Sequence, residues 1–157
     1  MNLEEFIAQI QNGTLPDEGL LENAELDQIN FLQLNLSGWS FSNCQVSQCC
    51  FSEVQLTNSQ WNECHFNDCS FTQTVLTGSI FMGCTLSNCN SQKNLWQSCE
   101  WSESRLEKLE TRNDSFSGSN FSQTHFTDWQ SFECDFSEAT FMECKIPDAQ
   151  HHKLHAS

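Results

Sequence analysis

An apolar side chain recurs at every fifth position between residues 21 and 146 of this 157-residue chain. Of the 26 positions in this register, 23 are Leu, Phe, Trp, Val or Ile, and the exceptions are Ser91, Thr111 and Ser131. A small or apolar residue usually stands two positions before each of them, as Cys44 and Cys69 do. A period of five matches neither the turn of a helix nor the alternation of a simple strand, so the repeat predicts a compound unit.

Each five-residue unit is predicted to form one flat side of a coil. In an extended segment residues two apart point to the same face, so the central residue and the residue two before it both face inward. The other three residues are mostly Ser, Thr, Asn, Gln, Gly and Asp, which suit a solvated surface and a corner. Stacked coils would pair through backbone hydrogen bonds and bury a continuous apolar column.

The three exceptions indicate four sides per coil. They are 20 residues apart, so four sides would stack them on one side, whereas three sides would scatter them. Leu109 and Trp129 stand two before Thr111 and Ser131, so large and small residues have exchanged places and the core volume is kept. The 26 units then give about six and a half coils, a rod about 30 Å long at the usual strand spacing.

Segments such as 67–71 (Asn-Asp-Cys-Ser-Phe) and 118–121 (Gly-Ser-Asn-Phe) have a central Phe with a small residue two before it. By these units the chain resembles the pentapeptide repeat family over about four fifths of its length. The resemblance implies an all-β fold, a right-handed quadrilateral parallel β-helix. We expect a helix and connector cap over residues 1–20, a β-helix of about six coils over 21–146, and a C-terminal tail over 147–157.

The pattern of residues 2–12 predicts a short amphipathic helix. Asn2 can cap it with Glu5 three positions on, and Gly13 ends it. One face carries four apolar residues: Leu3, Phe6, Ile7 and Ile10. We expect this helix to cover the first coil and its unpaired strand edge, and a partner-binding helix is the alternative.

Nine of the ten cysteines, all but Cys50, occupy the inward position two before a central residue. A buried reduced cysteine behaves as a small hydrophobe, and this is the role we predict. The alternative is a thiolate metal site, because Cys44, Cys64 and Cys84 would stack directly, as would Cys49, Cys69 and Cys89. No two cysteines form a Cys-x-x-Cys pair, and the aromatic column leaves little room for an ion, so we expect no metal or other cofactor.

The chain has a formal net charge of −15, and residues 1–92 contain ten acids without a single Lys or Arg. A negative rod repels nucleic acid and membrane surfaces, so we expect no direct binding to either. No run of 18 apolar residues is present, which excludes a membrane span. The acidic start lacks a charged-then-apolar leader, so a bacterial cytoplasmic location is expected.

Folding the chain onto four sides collects nine acids on the side of Leu26 and Phe66 and its two corners. These residues, the predicted acidic face, are Glu25, Asp27, Glu63, Asp68, Glu103, Glu107, Asp128, Glu143 and Asp148. Arg105, Lys108 and Lys145 reduce its charge toward the carboxyl end. The face is either a solubilising surface or a ligand for a basic groove.

The family resemblance bears on the choice between a solubilising surface and a ligand for a basic groove. The quinolone-resistance members of the family are acidic rods that imitate duplex DNA and bind DNA gyrase or topoisomerase IV. Those members dimerise through a C-terminal module with a helix, whereas here Pro147 follows the last unit at once. The tail after it contains three histidines, His151, His152 and His155. The Gram-negative members also project loops, and no insertion interrupts this register.

Other members of the family are scaffolds or accessory proteins, some encoded with bacterial secretion systems, and the opening of this chain over residues 3–7 is similar to that type. Four outward apolar residues predict a contact with a protein partner: Val75 and Leu95, which should stack, and Ile80 and Met82 round the next corner.

The carboxyl end of the rod predicts a second contact. With no helix to cover it, the last coil would expose Phe126, Phe136 and Phe141. We expect two rods to meet end to end as a symmetric homodimer. The residues at this seam would be Phe132, Phe136, Phe141, Met142 and Ile146.

No arrangement of residues in the sequence indicates catalysis. His65 and His125 face outward about three coils apart, and there is no Gly-rich phosphate loop or nucleophile elbow. We predict a non-enzymatic protein. Two functions remain: a rigid protein-binding module or scaffold, and an acidic DNA mimic that regulates a topoisomerase.

Overall fold

The computed structural model describes residues 1–146, so the predicted tail, with Asp148 and the three tail histidines, lies outside the described residues. The described chain is one short helix followed by a quadrilateral parallel β-helix of about six coils, which confirms the predicted fold class. Leu20 pairs with Ser40, and Leu21 with Phe41, so one coil takes 20 residues. The four-sided register is therefore confirmed.

Three of the four sides are parallel sheets of three-residue strands. The first sheet contains Leu20–Glu22, Ser40–Ser42, Gln60–Asn62, Ile80–Met82, Glu100–Ser102, Asn120–Ser122 and Thr140–Met142. The second contains Glu25–Asp27, Gln45–Ser47, His65–Asn67, Thr85–Ser87, Arg105–Glu107 and His125–Thr127. The third contains Cys50–Ser52, Ser70–Thr72, Asn90–Gln92, Glu110–Arg112 and Gln130–Phe132. The fourth side is joined by single bridges that link Asn35, Gln55, Val75, Leu95, Ser115 and Asp135.

Every corner of the coil is made by a residue in the left-handed region, a feature that the period of five does not predict. This residue stands two positions after each central residue, as Asn43 (φ 52°) and Asp68 (φ 55°) do. Left-handed backbone is unfavourable for most side chains, and Gly, Asn and Asp tolerate it best. Gln, Glu and Lys also occupy these corners, as at Gln48 and Lys93, so the stacked backbone imposes the conformation on them.

Rings of like residues stack along the inside of the rod, so the apolar column predicted from the repeat is confirmed. In the first sheet Phe41 lies 4.0 Å from Trp61 and Phe81 lies 4.1 Å from Trp101, measured between ring centroids, with the planes nearly parallel. In the third sheet Phe51 stacks on Phe71 at 4.7 Å. This vertical stacking is enforced by the 20-residue register, because in-register parallel strands place identical positions one above another.

The aromatic column of the third side ends where Ser91, Thr111 and Ser131 replace Phe, and the three pair as predicted. Leu109 and Trp129 are buried beside them, which confirms the exchange of large and small residues. At Ser91 the replacement of Phe is accommodated by a hydrogen bond instead. Trp96 of the fourth side donates its Nε1–H to Ser91 Oγ at 3.1 Å.

The helix spans Leu3–Asn12 and closes the first coil. Asn2 Oδ1 accepts from the Glu5 N–H at 2.9 Å, Glu5 accepts in return from the Asn2 N–H, and Gly13 (φ 66°) ends the helix, all as predicted. Phe6 is fully buried, and its ring lies 5.3 Å from that of Trp39. A helix that covers the end of the column hides core aromatics and a strand edge from solvent. None of the helices in residues 1–146 is long and apolar enough to cross a membrane.

Replacing Phe6 with Ala should lower the free energy of unfolding by about 3–5 kcal/mol, because a fully buried aromatic leaves a cavity over the first coil. Chemical denaturation followed by circular dichroism measures this loss. The control is Gln11→Ala on the exposed face of the same helix, which should change stability by less than about 0.5 kcal/mol. Equal effects of the two substitutions would show that the helix does not cover the core.

Candidate functional site

The nine inward cysteines lie in the wall of the coil and cap its backbone. Cys99 Sγ donates to Leu76 O at 3.0 Å, and Cys84 Sγ donates to Trp61 O at 3.3 Å, in each case a carbonyl of the coil before. Where Ser79 takes the position, its hydroxyl makes the equivalent bond to Leu56 O. The thiols therefore act as small hydrogen-bond donors as well as apolar filler.

Burial raises the pKa of the Cys84 and Cys99 thiols to about 12, so both are protonated at neutral pH. A metal ion binds the thiolate, which burial disfavours at Cys84 and Cys99. Within residues 1–146, no three His, Cys, Asp or Glu side chains are arranged to hold a metal ion.

The second sheet and its two corners carry eight of the nine acids of the predicted acidic face, and Asp148 lies outside the described residues. Glu25, Asp27 and Glu107 are on the strands. Glu63, Glu103 and Glu143 occupy alternate coils of one corner, while Asp68 and Asp128 lie on the other. The side chains line one side of the rod, and most of them are exposed.

A column of cations divides this face. Arg105 pairs with His125, and His125 with Lys145, so three basic or titratable side chains follow one another along the second sheet. Lys108 adds a fourth on the adjoining corner. The half of the face that contains Glu25 has no Lys or Arg at all. Over the first four coils the acidic face therefore carries carboxylates with no Lys or Arg among them.

The opposite side of the rod is almost uncharged. It consists of the middle coils of the fourth side, of the first sheet and of the corner between them, formed by residues 35–42, 55–62, 75–82, 95–102 and 115–122, and we call it the neutral side. At the two ends of the rod the same sides carry Glu22, Asp135 and Glu138. Among the residues of the neutral side only Glu100 is charged, whereas the intervening segments from 43 to 134 contain 13 charged residues. Four of the five corner residues on the neutral side are small: Gly38, Gly78, Ser98 and Gly118. No large side chain of these four therefore separates the fourth side from the first sheet.

The four predicted contact residues lie together on the neutral side. Val75 pairs with Leu95, as expected, and Ile80 and Met82 flank the central Phe81 one corner away. Met82 is 50% exposed and Leu95 is 40% exposed, while Val75 and Ile80 are half-buried. Apolar side chains at this exposure, surrounded by Ser, Thr, Asn and Gln and with Glu100 paired to Ile80, form a surface suited to a protein contact.

At the carboxyl end, the expectation that Phe126 and Phe136 are exposed is wrong. Both are buried, Phe136 to 1% exposure, because its ring stacks on Phe116 at 5.0 Å and contacts Trp129. Phe141 is half-buried.

The other residues of the predicted seam lie partly on the sides of the rod. Met142 is 65% exposed on the first sheet, and Ile146 is half-buried. The Arg112 guanidinium lies 4.1 Å above the Phe132 ring on the surface of the third sheet. Dimerisation through this end stays a prediction.

Two inward residues, Asn94 and Asp114, were not singled out from the sequence although the repeat contains the signal for them. Each stands two positions before a central residue, where the register places a side chain inside. Both are buried, Asp114 to 2% exposure. His65 and His125, by contrast, are three coils apart on the second sheet, as predicted.

Eight copies of the pentapeptide repeat family model match residues 49–88. No curated protein matches the chain. Among solved structures, a trypsin-treated form of QnrB1, a plasmid-mediated fluoroquinolone resistance protein, is 18% identical with a TM-score of 0.50, over 83% of this chain and 80% of that one.

HetL, a pentapeptide repeat protein involved in heterocyst differentiation regulation from the cyanobacterium Nostoc sp. strain PCC 7120, is 12% identical with a TM-score of 0.41, over 97% of this chain and 100% of that one. A pentapeptide repeat protein from the cyanobacterium Cyanothece 51142 is 10% identical with a TM-score of 0.39, over 96% and 99% of the two chains. At 18% identity the likeness to QnrB1 concerns the fold alone.

Thiol reactivity should follow burial. In the native protein at neutral pH, Cys50 is exposed and should react first with a disulfide reagent, and the half-buried Cys144 should follow more slowly. The other eight should react only after unfolding, because they are buried. Counting released thiolate with and without denaturant checks this, and Cys50→Ser is the control that should remove the fast phase. Fast reaction of three or more thiols in the folded protein would contradict the buried assignment.

Proposed function

Because the chain is a pentapeptide repeat protein, we propose that it serves as a rigid module that binds another protein and catalyses no reaction itself. The binding surface is the neutral side, centred on Leu95 and Met82. The observation that carries this proposal is the segregation of charge: one charged residue on the neutral side against 13 in the intervening segments.

Charge segregation favours the neutral side as the binding surface, because charge repulsion and the desolvation of charged groups oppose association. A chain of net charge −15 repels other acidic proteins over most of its surface. On the neutral side a partner has almost no charge to desolvate, and burial of exposed apolar side chains such as Met82 and Leu95 is favourable.

The rigidity of the coil also favours binding at the neutral side. Ordering of a flexible surface opposes association, whereas side chains fixed on paired strands lose little freedom when a partner binds. Ile80 and Met82 lie on a strand that is paired on both sides, to Gln60–Asn62 and to Glu100–Ser102. The four apolar residues are therefore presented in a fixed arrangement.

The family resemblance suggests the setting of this contact. We propose a bacterial cytoplasmic protein that acts as a scaffold, with a component of a secretion system as one class of partner. The support is the short N-terminal helix followed directly by repeats.

Charge placed on the neutral side should weaken partner binding. Once a partner is captured with a photo-crosslinker at position 95, Met82→Glu and Leu95→Glu should each weaken its affinity at least about tenfold, measured by calorimetry, since central apolar contacts dominate such interfaces. Asn67→Glu, exposed on the opposite side of the rod, is the matched control.

The salt dependence of binding gives a second readout. Affinity at the neutral side should change little with ionic strength, because screening acts on charges. Undiminished binding by Met82→Glu and Leu95→Glu, together with a steep loss in salt, would reject this surface.

The second candidate is an acidic DNA mimic that binds DNA gyrase or topoisomerase IV. The observation in its favour is the uncompensated half of the acidic face, with Glu25, Asp27, Glu63 and Asp68 over the first four coils. Against it stands the cation column through Arg105 and Lys145, which interrupts the negative surface that a duplex mimic needs.

A gyrase supercoiling assay with and without a quinolone tests this candidate. If the chain acts as a mimic, the double variant Glu63→Gln/Asp68→Asn should lose its effect, because two of the four carboxylates of the half without Lys or Arg are neutralised. Gln and Asn keep the polar character of these left-handed corners. Glu53→Gln/Glu133→Gln, on the corner after the third sheet, is the control of equal charge change. An effect that survives Glu63→Gln/Asp68→Asn excludes the acidic face as its source.

A further inference from the structure

A column of hydrogen-bonding side chains runs inside the fourth side of the coil. Thr74, Asn94 and Asp114 occupy it in three successive coils, and all three are buried. The Thr74 N–H donates to Asn94 Oδ1 at 2.8 Å, and the Asn94 N–H donates to Asp114 Oδ1 at 2.7 Å. Each amide or carboxyl oxygen thus caps the backbone of the coil before it. We call this column the interior ladder.

Asn94 shows which hydrogen-bond partners surround the second terminal atom of a side chain at this position. Its Nδ2 donates to Phe71 O at 2.9 Å and to Ser91 Oγ at 2.7 Å. These acceptors come 23 and three residues earlier in the chain. For Asp114 the 20-residue register gives Ser91 O and Thr111 Oγ1 as the equivalent acceptors.

Asp114 Oδ2 occupies the place where Asn94 has its donor. Across residues 1–146 this oxygen is buried and is without a hydrogen-bond partner. An ionised carboxylate only accepts hydrogen bonds. Although Asn94 and Ser91 donate to the Asp114 carboxyl, an ionised Oδ2 would be deprived of water with no donor of its own. A proton on Oδ2 supplies the missing donor.

The ionisable groups on the adjoining elements do not neutralise an Asp114 carboxylate. In the described part of the chain the one ion pair joins Arg112 Nε to Glu110 Oε1, at 2.6 Å, and the Arg112 guanidinium also stacks on Phe132. Cys134, in the next coil, is a buried free thiol. The other ionisable neighbours lie at the surface and are Lys93, Glu133 and Asp135.

We propose that Asp114 is a pH-sensitive latch in the β-helix. The folded core holds a neutral carboxyl whose proton donates to Ser91 O or Thr111 Oγ1, and ionisation loosens the coils around residues 91–131. This inference concerns stability and is independent of the proposed partner-binding surface.

The direction of the pH effect follows from which state binds the proton more tightly. Burial raises the pKa of the Asp114 carboxyl from 3.8 to about 6, and hydrogen bonds with Asn94 and Ser91 oppose that rise only in part. Between these two values the folded state is more protonated than the unfolded one, so stability falls as pH rises. The contribution of the latch is complete below about pH 4 and lost above about pH 6.

The test compares the unfolding equilibrium constant of the full chain and of Asp114→Asn from pH 4 to pH 8 by denaturant titration. The Asn side chain carries a permanent donor where Asp114 needs a proton, as Asn94 does. At pH 8 the unfolding constant of Asp114→Asn should be about 100-fold smaller than that of the unchanged chain, and at pH 4 the two should agree within about threefold.

The control is Asp27→Asn, which removes an exposed carboxylate and changes the net charge equally. This control separates the effect of Asp114 from a general relief of charge repulsion in an acidic chain. The ratio of its unfolding constant to that of the unchanged chain should not show the change between pH 4 and pH 8 that is expected for Asp114→Asn. A ratio for Asp114→Asn that stays constant from pH 4 to pH 8 overturns the proposal.

Should Asp114→Asn fail to fold, Asp114→Thr is measured in the same way. Thr74 in the same ladder donates its hydroxyl to Phe51 O at 3.0 Å, so Thr has an uncharged donor suited to this column. Loss of the pH 4–6 transition in Asp114→Thr supports the latch, and its persistence refutes it.

Discussion

The structure depends on one constraint, the return of the chain to the same side after 20 residues. In-register parallel pairing then satisfies the backbone of each three-residue strand from the coils above and below, as between Leu20–Glu22 and Ser40–Ser42. A single coil has neither enough buried surface nor paired edges to be stable alone, so the coils stabilise one another. The helix that buries Phe6 completes this arrangement at the first coil.

The same constraint determines which polar groups can enter the core. A side chain that replaces an apolar one must match its neighbours in the coils before and after it. Ser91 is acceptable because it accepts from Trp96 Nε1 and Asn94 Nδ2, and Cys99 is acceptable because its thiol caps Leu76 O. Asp114 fits this pattern only in part, since one of its carboxyl oxygens stays unpartnered in the described chain. Buried polar groups without partners are costly, which makes that residue sensitive to its protonation state.

The outside of the rod is free of this constraint, and there the chain has separated its charges. Carboxylates and cations share the second and third sheets, while the first sheet and the fourth side between residues 35 and 122 carry Ser, Thr, Asn, Gln and a few apolar residues, with Glu100 as the one charge. A similar rod in QnrB1 shows that the fold also occurs in a fluoroquinolone resistance protein, but at 18% identity the likeness does not extend to its surface chemistry. The distribution of charge on this chain is therefore the better guide to its function.

Much of this was present in the linear order of residues. The period of five determined which residues face inward, the spacing of Ser91, Thr111 and Ser131 determined four sides, and Asn2, Glu5 and Gly13 determined the bounds of the helix. Each of these is a local or strictly periodic signal, so it survives without knowledge of the fold. Only the tertiary structure decided the left-handed corners, the pairing of Trp96 with Ser91, the burial of Phe136 and the ladder that leads to Asp114. These features depend on contacts between residues about 20 apart in the chain or on neighbouring sides of the coil. The three-dimensional closure of the coil decides which side chains meet across coils, and no local sequence pattern contains that information.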